Sequence, residues 1–230
     1  AILMSVFMQV PFVLKNNGLD VARHWQVYLP VMLLAFVLMV PPIIVAEKKA
    51  KMKQVCIGSI ALATCGQLSL MLTQGSIWGV VFSLLLFFVA FNVLEATLPS
   101  MISKIAPLAA KGTAMGIYSS VQFLGAFSGA FAGGFLLQNF GGDAVFAFAA
   151  GLLLLWLLVA STMNPPAAVR TKMYPLSDMD AKAGAALQQR LSQLPGVREA
   201  LVVPDERMAC LKVDMSGFDE AGVHHLVKGE

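Results

Sequence analysis

The stretch FNVLEATLPS, Phe91–Ser100, decides the fold, because it places a single acid within an apolar run from Ile77 to Ile105. A run of that length can cross a bilayer as a helix, which takes about 20 apolar residues. Glu95 is the acid, and Asn92 lies about one turn before it. A carboxylate at membrane depth costs roughly 2.5–3.5 kcal/mol and usually faces a bundle interior or a water-filled cavity. We therefore predict that Glu95 and Asn92 lie on a substrate or proton pathway.

A second interpretation of Glu95 is structural. Pro99 follows within about one turn and would bend the helix there. Near a helix end, the carboxylate could reach the membrane interface, or it could serve as a hydrogen-bond partner for a neighbouring helix. The sequence leaves these alternatives open.

The composition is that of a membrane protein. Of the 230 residues, 58% are hydrophobic and only 13% are charged, whereas soluble domains carry about 25% charged residues. The sequence has no P-loop or dinucleotide-binding glycine motif, and its three cysteines lack disulfide or metal spacing. We therefore expect no enzyme activity and no catalytic residues. We also expect no cofactor, no metal and no nucleic acid, with the lipid bilayer as a partner.

Six apolar segments precede Pro165. The first, Ala1–Leu14, is too short to cross a bilayer, and we interpret it as the second part of a truncated helix. The other predicted spans are Val27–Val45, Val55–Leu72, Ile77–Ile105, Thr113–Leu137 and Ala144–Met163. The fold class is therefore an all-α membrane bundle over most of the chain.

Loop charges predict the orientation, since cytoplasmic loops carry an excess of Lys and Arg. One set of loops and the tail hold eight such residues, and the opposite set holds only Lys15 and Arg23. The basic set is Lys48, Lys49, Lys51, Lys53, Lys104, Lys111, Arg170 and Lys172. This pattern predicts a multi-pass protein whose C-terminus is cytoplasmic.

The fifth span carries a stripe of glycines. Gly125, Gly129 and Gly133 recur every four residues, so they lie on one helix face. Small residues at this spacing let helix backbones approach closely in lipid. We therefore predict that the stripe is a helix-packing face.

After Pro166 the pattern becomes that of a small α+β domain. Its predicted elements follow the order β-α-β-β-α: Thr171–Leu176, Asp180–Leu194, Val197–Val203, Met208–Val213 and Asp219–Lys228. A further strand would complete a ferredoxin-like module, so we interpret this one as lacking its last strand. The predicted domains are residues 1–166 in the membrane, a linker at 167–170 and a cytoplasmic ferredoxin-like domain at 171–230. Candidate acids for meeting the basic loops are Asp178, Asp180, Asp205 and Glu206.

Three stretches carry a family resemblance. They are Phe91–Ser100, KGTAMGIYSSVQFLGAFSGAFAGG at Lys111–Gly134, and AALQQRLSQLPGVREALVVPDERMACLKVD at Ala185–Asp214. With the six spans, they resemble the C-terminal half of a major facilitator superfamily transporter, in the YajR-type branch of the drug:proton antiporter group. The resemblance implies that the spans are membrane helices seven to twelve and that a six-helix N-terminal half is a partner. It also implies a cytoplasmic gate-loop charge cluster, formed by Glu47, Lys48, Lys49, Lys51 and Lys53.

The resemblance further implies a secondary active transporter of the bacterial inner (plasma) membrane. Such a protein would couple efflux of a small-molecule substrate or drug to protons by alternating access. The alternative is a membrane-anchored binding or sensory protein whose helices only tether the cytoplasmic domain. The number of spans discriminates between the two, because a tether needs only one or two and no buried acid.

Overall fold

The computed structural model describes residues 2–164, 169–214 and 217–228. These fall into two compact units, which are described separately. The first comprises residues 1–100 and 117–165, and the second comprises residues 101–116 and 166–230.

Seven helices account for the membrane part of the sequence. They are α1 (Ile2–Asn16), α2 (Trp25–Leu38), α3 (Val40–Lys48), α4 (Met52–Leu72), α5 (Ile77–Ile105), α6 (Lys111–Phe140) and α7 (Gly142–Thr162). Among the described residues, five helical segments are long and apolar enough to span a membrane, with α2 and α3 counted as one segment. The shorter apolar helix α1 precedes them. The predicted apolar segments agree with these helices to within a few residues.

The second span is broken at Met39, between α2 and α3. Pro41 and Pro42 lie in the first turn of α3, and because they have no backbone N–H they cannot donate the helical hydrogen bonds that would join α3 to the end of α2. The helix resumes because Ile43 donates to the Met39 carbonyl at 3.3 Å. A proline pair therefore divides one span into two helical pieces.

The core of the first unit lies between α1, α2, α4, α5 and α7. Val6, Phe87, Phe88 and Phe146 are among its fully buried members. By contrast, α6 carries three phenylalanines at four-residue spacing that are more than 70% exposed: Phe123, Phe127 and Phe131. An exposed apolar face of this kind suits lipid.

The second unit contains a three-stranded antiparallel sheet in the order β1-β3-β2. Its strands and helices are β1 (Val169–Pro175), α8 (Ala181–Ser192), β2 (Val197–Val203), β3 (Met208–Asp214) and α9 (Glu220–Lys228). The predicted order β-α-β-β-α is confirmed. The first strand begins two residues earlier than predicted, because Val169 and Arg170 already pair with the end of β3.

Local contacts explain the ends of α8 and the hairpin. The Asp180 side chain accepts from the Ala183 N–H at 2.7 Å and so caps α8. Arg207 adopts a left-handed conformation with φ of 52° between β2 and β3, and its guanidinium donates to Asp178 at 2.7 Å. Two acids that were candidates for meeting the basic loops therefore have partners within their own domain.

One exposed ion pair joins β1 to α9. Lys172 Nζ lies 2.5 Å from Glu220 Oε1. This hydrogen bond raises the pKa of Lys172 and lowers the pKa of Glu220. Its contribution to stability is therefore lost when the pH falls through the lowered pKa of Glu220 or rises through the raised pKa of Lys172.

Candidate functional site: a cavity at Glu95 and Gln122

A cavity of about 290 Å³ opens in the first unit beside Glu95. Its walls come from α1, α4, α5, α6 and α7. The lining residues are Ile2, Leu3, Met4, Ala63, Phe87, Phe91, Leu94, Glu95, Leu98, Gln122, Ala126, Leu153 and Trp156. The lining is largely apolar, with a few polar groups, as is usual for small-molecule sites.

Helical periodicity brings the α5 residues of this lining together. Phe91, Leu94, Glu95 and Leu98 follow the spacing of a single helix face. On α6, Gln122 and Ala126 are likewise one turn apart. The cavity is therefore bordered by continuous faces of two successive membrane helices.

Glu95 and Gln122 form the polar centre of the cavity. The Gln122 side-chain amide lies 2.9 Å from Glu95 Oε1 and 3.0 Å from Oε2, so it donates to the carboxylate. A hydrogen bond to an ionised acceptor is stronger than one between neutral groups. Since Glu95 is exposed rather than buried in this chain, its carboxylate remains accessible from the cavity.

Asn92 lies about one helical turn before Glu95 in the chain. It is half-buried on α5, and it is not one of the described residues that line the cavity. The described partner of Glu95 at the cavity is Gln122, and the role of Asn92 in a pathway stays a prediction. The sequence did contain a signal for Gln122, because a large polar side chain within a membrane span usually faces a cavity or another helix.

The glycine stripe divides into an open and a covered part. Gly125 is half-buried, and a Cβ added to it would meet nothing within 4 Å among the described residues. Gly129 and Gly133 are buried, and a Cβ on Gly133 would lie 3.4 Å from Met8 Sδ of α1. The role of the stripe in helix packing stays a prediction.

The basic loop between α3 and α4 lies near Ser100 of α5, because Glu47 at the end of α3 contacts that residue. Ser100 Oγ donates to Glu47 Oε1 at 2.7 Å. Ala50 turns the chain with a positive φ of 52°. The four lysines around it, Lys48, Lys49, Lys51 and Lys53, are exposed except for the half-buried Lys53. The gate role of this cluster stays a prediction.

Two family models match the chain. The Major Facilitator Superfamily model matches residues 6–194, and the YajR YAM domain model matches residues 178–229. Because the first match covers most of the chain, the chain belongs to the major facilitator superfamily. The predicted fold, half of such a transporter followed by a small ferredoxin-like domain, is confirmed.

The chain is also similar in sequence to curated transport proteins. The chain is 43% identical over 213 residues to the inner membrane transport protein YajR of Escherichia coli (strain K12), covering 93% of this chain and 47% of that protein. It is 29% identical over 126 residues to the uncharacterized transporter BU466 of Buchnera aphidicola subsp. Acyrthosiphon pisum (strain APS), covering 55% of this chain and 32% of that protein. The chain thus spans about half or less of the length of these relatives.

Proposed function

We propose that this chain forms the second half of a proton-coupled transporter that exports small molecules or drugs across the bacterial inner membrane. The observation that carries the proposal is the Glu95–Gln122 pair, an acid and an amide that meet at an apolar cavity between membrane helices. Intramembrane acids of this kind usually mark ion or substrate pathways. The relative named an inner membrane transport protein supports the location.

The geometry suggests how a proton would act. The Gln122 amide, on α6, donates to the Glu95 carboxylate, on α5. Protonation of Glu95 would remove the negative charge that strengthens this hydrogen bond. Proton uptake would therefore weaken a link between two helices that border the cavity, and proton release would restore it. A link whose strength depends on protonation would shift the balance between two conformations that differ in this contact.

The remaining assignments follow from this function. A six-helix N-terminal half would complete the cavity, and the two halves would rock around it. Residues 1–166 would lie in the membrane, and the domain that begins with β1 would be cytoplasmic. The predicted linker 167–170 is too long, because Val169 and Arg170 already belong to β1, and its residues 167–168 lie outside the described part of the chain. The excess of Lys and Arg in one set of loops and the tail supports this orientation. A simple tether for the domain is less well supported, because it requires neither five spanning segments nor an acid at a cavity.

A proton-flux assay tests this function. We expect the full-length protein in energised inverted vesicles to release part of the pH gradient when ethidium or another lipophilic cation is added. Vesicles without the protein give the background, and a protonophore gives the full signal. If no member of a panel of lipophilic cations, neutral drugs and anions produces a protein-dependent proton flux, coupling to protons is wrong.

A further inference from the structure

The loop between α5 and α6 makes two hydrogen bonds to the C-terminal sheet. The Leu108 N–H donates to Glu199 Oε1 at 2.8 Å. The Lys212 ammonium donates to the Ala106 carbonyl. The loop, within residues 101–116, and the C-terminal domain belong to the same compact unit. The loop is therefore part of the folded domain although it lies some 60 residues before that domain in the chain.

Glu199 and Lys212 also bond to each other. They stand directly opposite in the register of β2 and β3, and Lys212 Nζ lies 3.5 Å from Glu199 Oε2. The Lys212 side chain is only 6% exposed. A buried ammonium is tolerated only when acceptors surround it. Among the described residues, the Glu199 carboxylate of β2 and the Ala106 carbonyl of the loop supply acceptors for it.

The strand pattern explains why this pair faces the loop. Leu211 and Val213 point into the core beneath α8 and α9, so Lys212 between them points to the opposite face of the sheet. An irregularity in β2 between Val197 and Glu199 brings Glu199 opposite Lys212. The 3₁₀ turn at Leu108–Ala110 then packs against β2.

We propose that Glu199 and Lys212 form a latch through which the C-terminal domain regulates the transporter. The latch holds the loop that connects α5, which bears Glu95, with α6, which bears Gln122. A loop fixed to a folded domain limits the independent movement of the two helices that it joins. The attachment of the loop stands on the contacts alone, whereas its effect on transport rests on the proposed function.

Hydrogen exchange of the intact protein, measured by mass spectrometry, tests the attachment. Glu199→Ala removes the acceptor of the Leu108 N–H, so amides of the Leu108–Lys111 segment should exchange about tenfold faster. Glu199→Gln keeps an acceptor oxygen but loses the charge, and its exchange should be intermediate. Arg198→Ala is the matched control, because Arg198 is adjacent, 66% exposed and paired with Asp214 at 3.3 Å. In the Arg198→Ala variant, the amides of the Leu108–Lys111 segment should exchange at the wild-type rate.

Two further readouts complete the test. Amides of β3 and α8 report in the same experiment whether the domain remains folded, and we expect them to stay protected in the Glu199 variants. The transport rate should change at least about threefold in Glu199→Ala and remain unchanged in Arg198→Ala.

Unchanged loop exchange in a folded Glu199→Ala would overturn the latch. Faster loop exchange with an unchanged transport rate would overturn its regulatory role while leaving the proposed function intact. If Glu199→Ala unfolds the domain, Glu199→Gln decides by the same criteria.

Discussion

Replacing Glu95 with glutamine is expected to reduce proton-coupled transport at least about tenfold while the protein still inserts and folds. Glutamine has nearly the same shape and can still accept a hydrogen bond from Gln122, so the link between α5 and α6 is retained in part. It cannot bind or release a proton. The variant should therefore lose the dependence of transport on pH together with most of its rate. The measurement is substrate-driven proton flux in vesicles across a series of pH values.

Asp143→Asn is the control for this experiment. Asp143 is also an acid of the first unit, but it lies in the first turn of α7, accepts from the Gln74 side-chain amide at 2.7 Å and is not one of the described residues that line the cavity. Its substitution should leave the pH dependence of transport unchanged. A Glu95→Gln variant with the wild-type rate and pH profile would show that Glu95 is only a structural hydrogen-bond partner, the alternative that the sequence leaves open.

Gly66→Ala should have the largest effect on stability among the substitutions considered. A Cβ at this position would lie 2.9 Å from the backbone nitrogen of Phe87 and 3.2 Å from its Cα. Helices α4 and α5 therefore approach each other closely at Gly66, and the obstacle is backbone that cannot rotate away. Overpacking of a tight core costs about 1–3 kcal/mol. We expect a lower midpoint of thermal unfolding in detergent.

Gly58→Ala provides a matched comparison on the same helix. Gly58 is exposed, and a Cβ there would meet nothing within 4 Å among the described residues. Since alanine favours a helix over glycine by about 1 kcal/mol, this change should be neutral or stabilising. Equal unfolding midpoints for the two variants would mean that α4 and α5 are not in close contact at Gly66.

The membrane spans could be predicted from the sequence because their signal is simple. A run of apolar residues bounded by polar loops defines α5 over Ile77–Ile105, as predicted. The strands of the C-terminal domain could also be predicted, since β2 and β3 combine β-branched and apolar residues around a turn at Pro204–Arg207. The break between α2 and α3 at Met39 could not be predicted, because the pair Pro41 and Pro42 can either kink a helix or end it.

Contacts between distant residues could not be predicted in the same way. Glu95 was singled out by its cost in an apolar run, whereas its partner Gln122 depends on how α6 rotates against α5. No sequence signal marks Glu199 and Lys212, because both belong to an ordinary strand pattern. Their position opposite each other requires the register of β2 and β3, including one irregularity. Both contacts therefore depend on how separate helices or strands pack against each other, which the sequence of a single helix or strand does not determine.

We expect the face of α6 that bears Gln122 and Ala126 to border a water-accessible transport cavity. Cysteine labelling in the full-length protein tests it most directly, after replacement of Cys56, Cys65 and Cys210. Ala126 lines the cavity, whereas the adjacent Phe127 is 71% exposed on the apolar outer surface of this chain. Maleimides react with the thiolate, which forms in water but not in lipid. We predict that a membrane-impermeant maleimide labels the Ala126→Cys variant and that substrate slows this labelling, while the Phe127→Cys variant remains unlabelled. Labelling of Phe127→Cys without labelling of Ala126→Cys would contradict the assignment of the cavity.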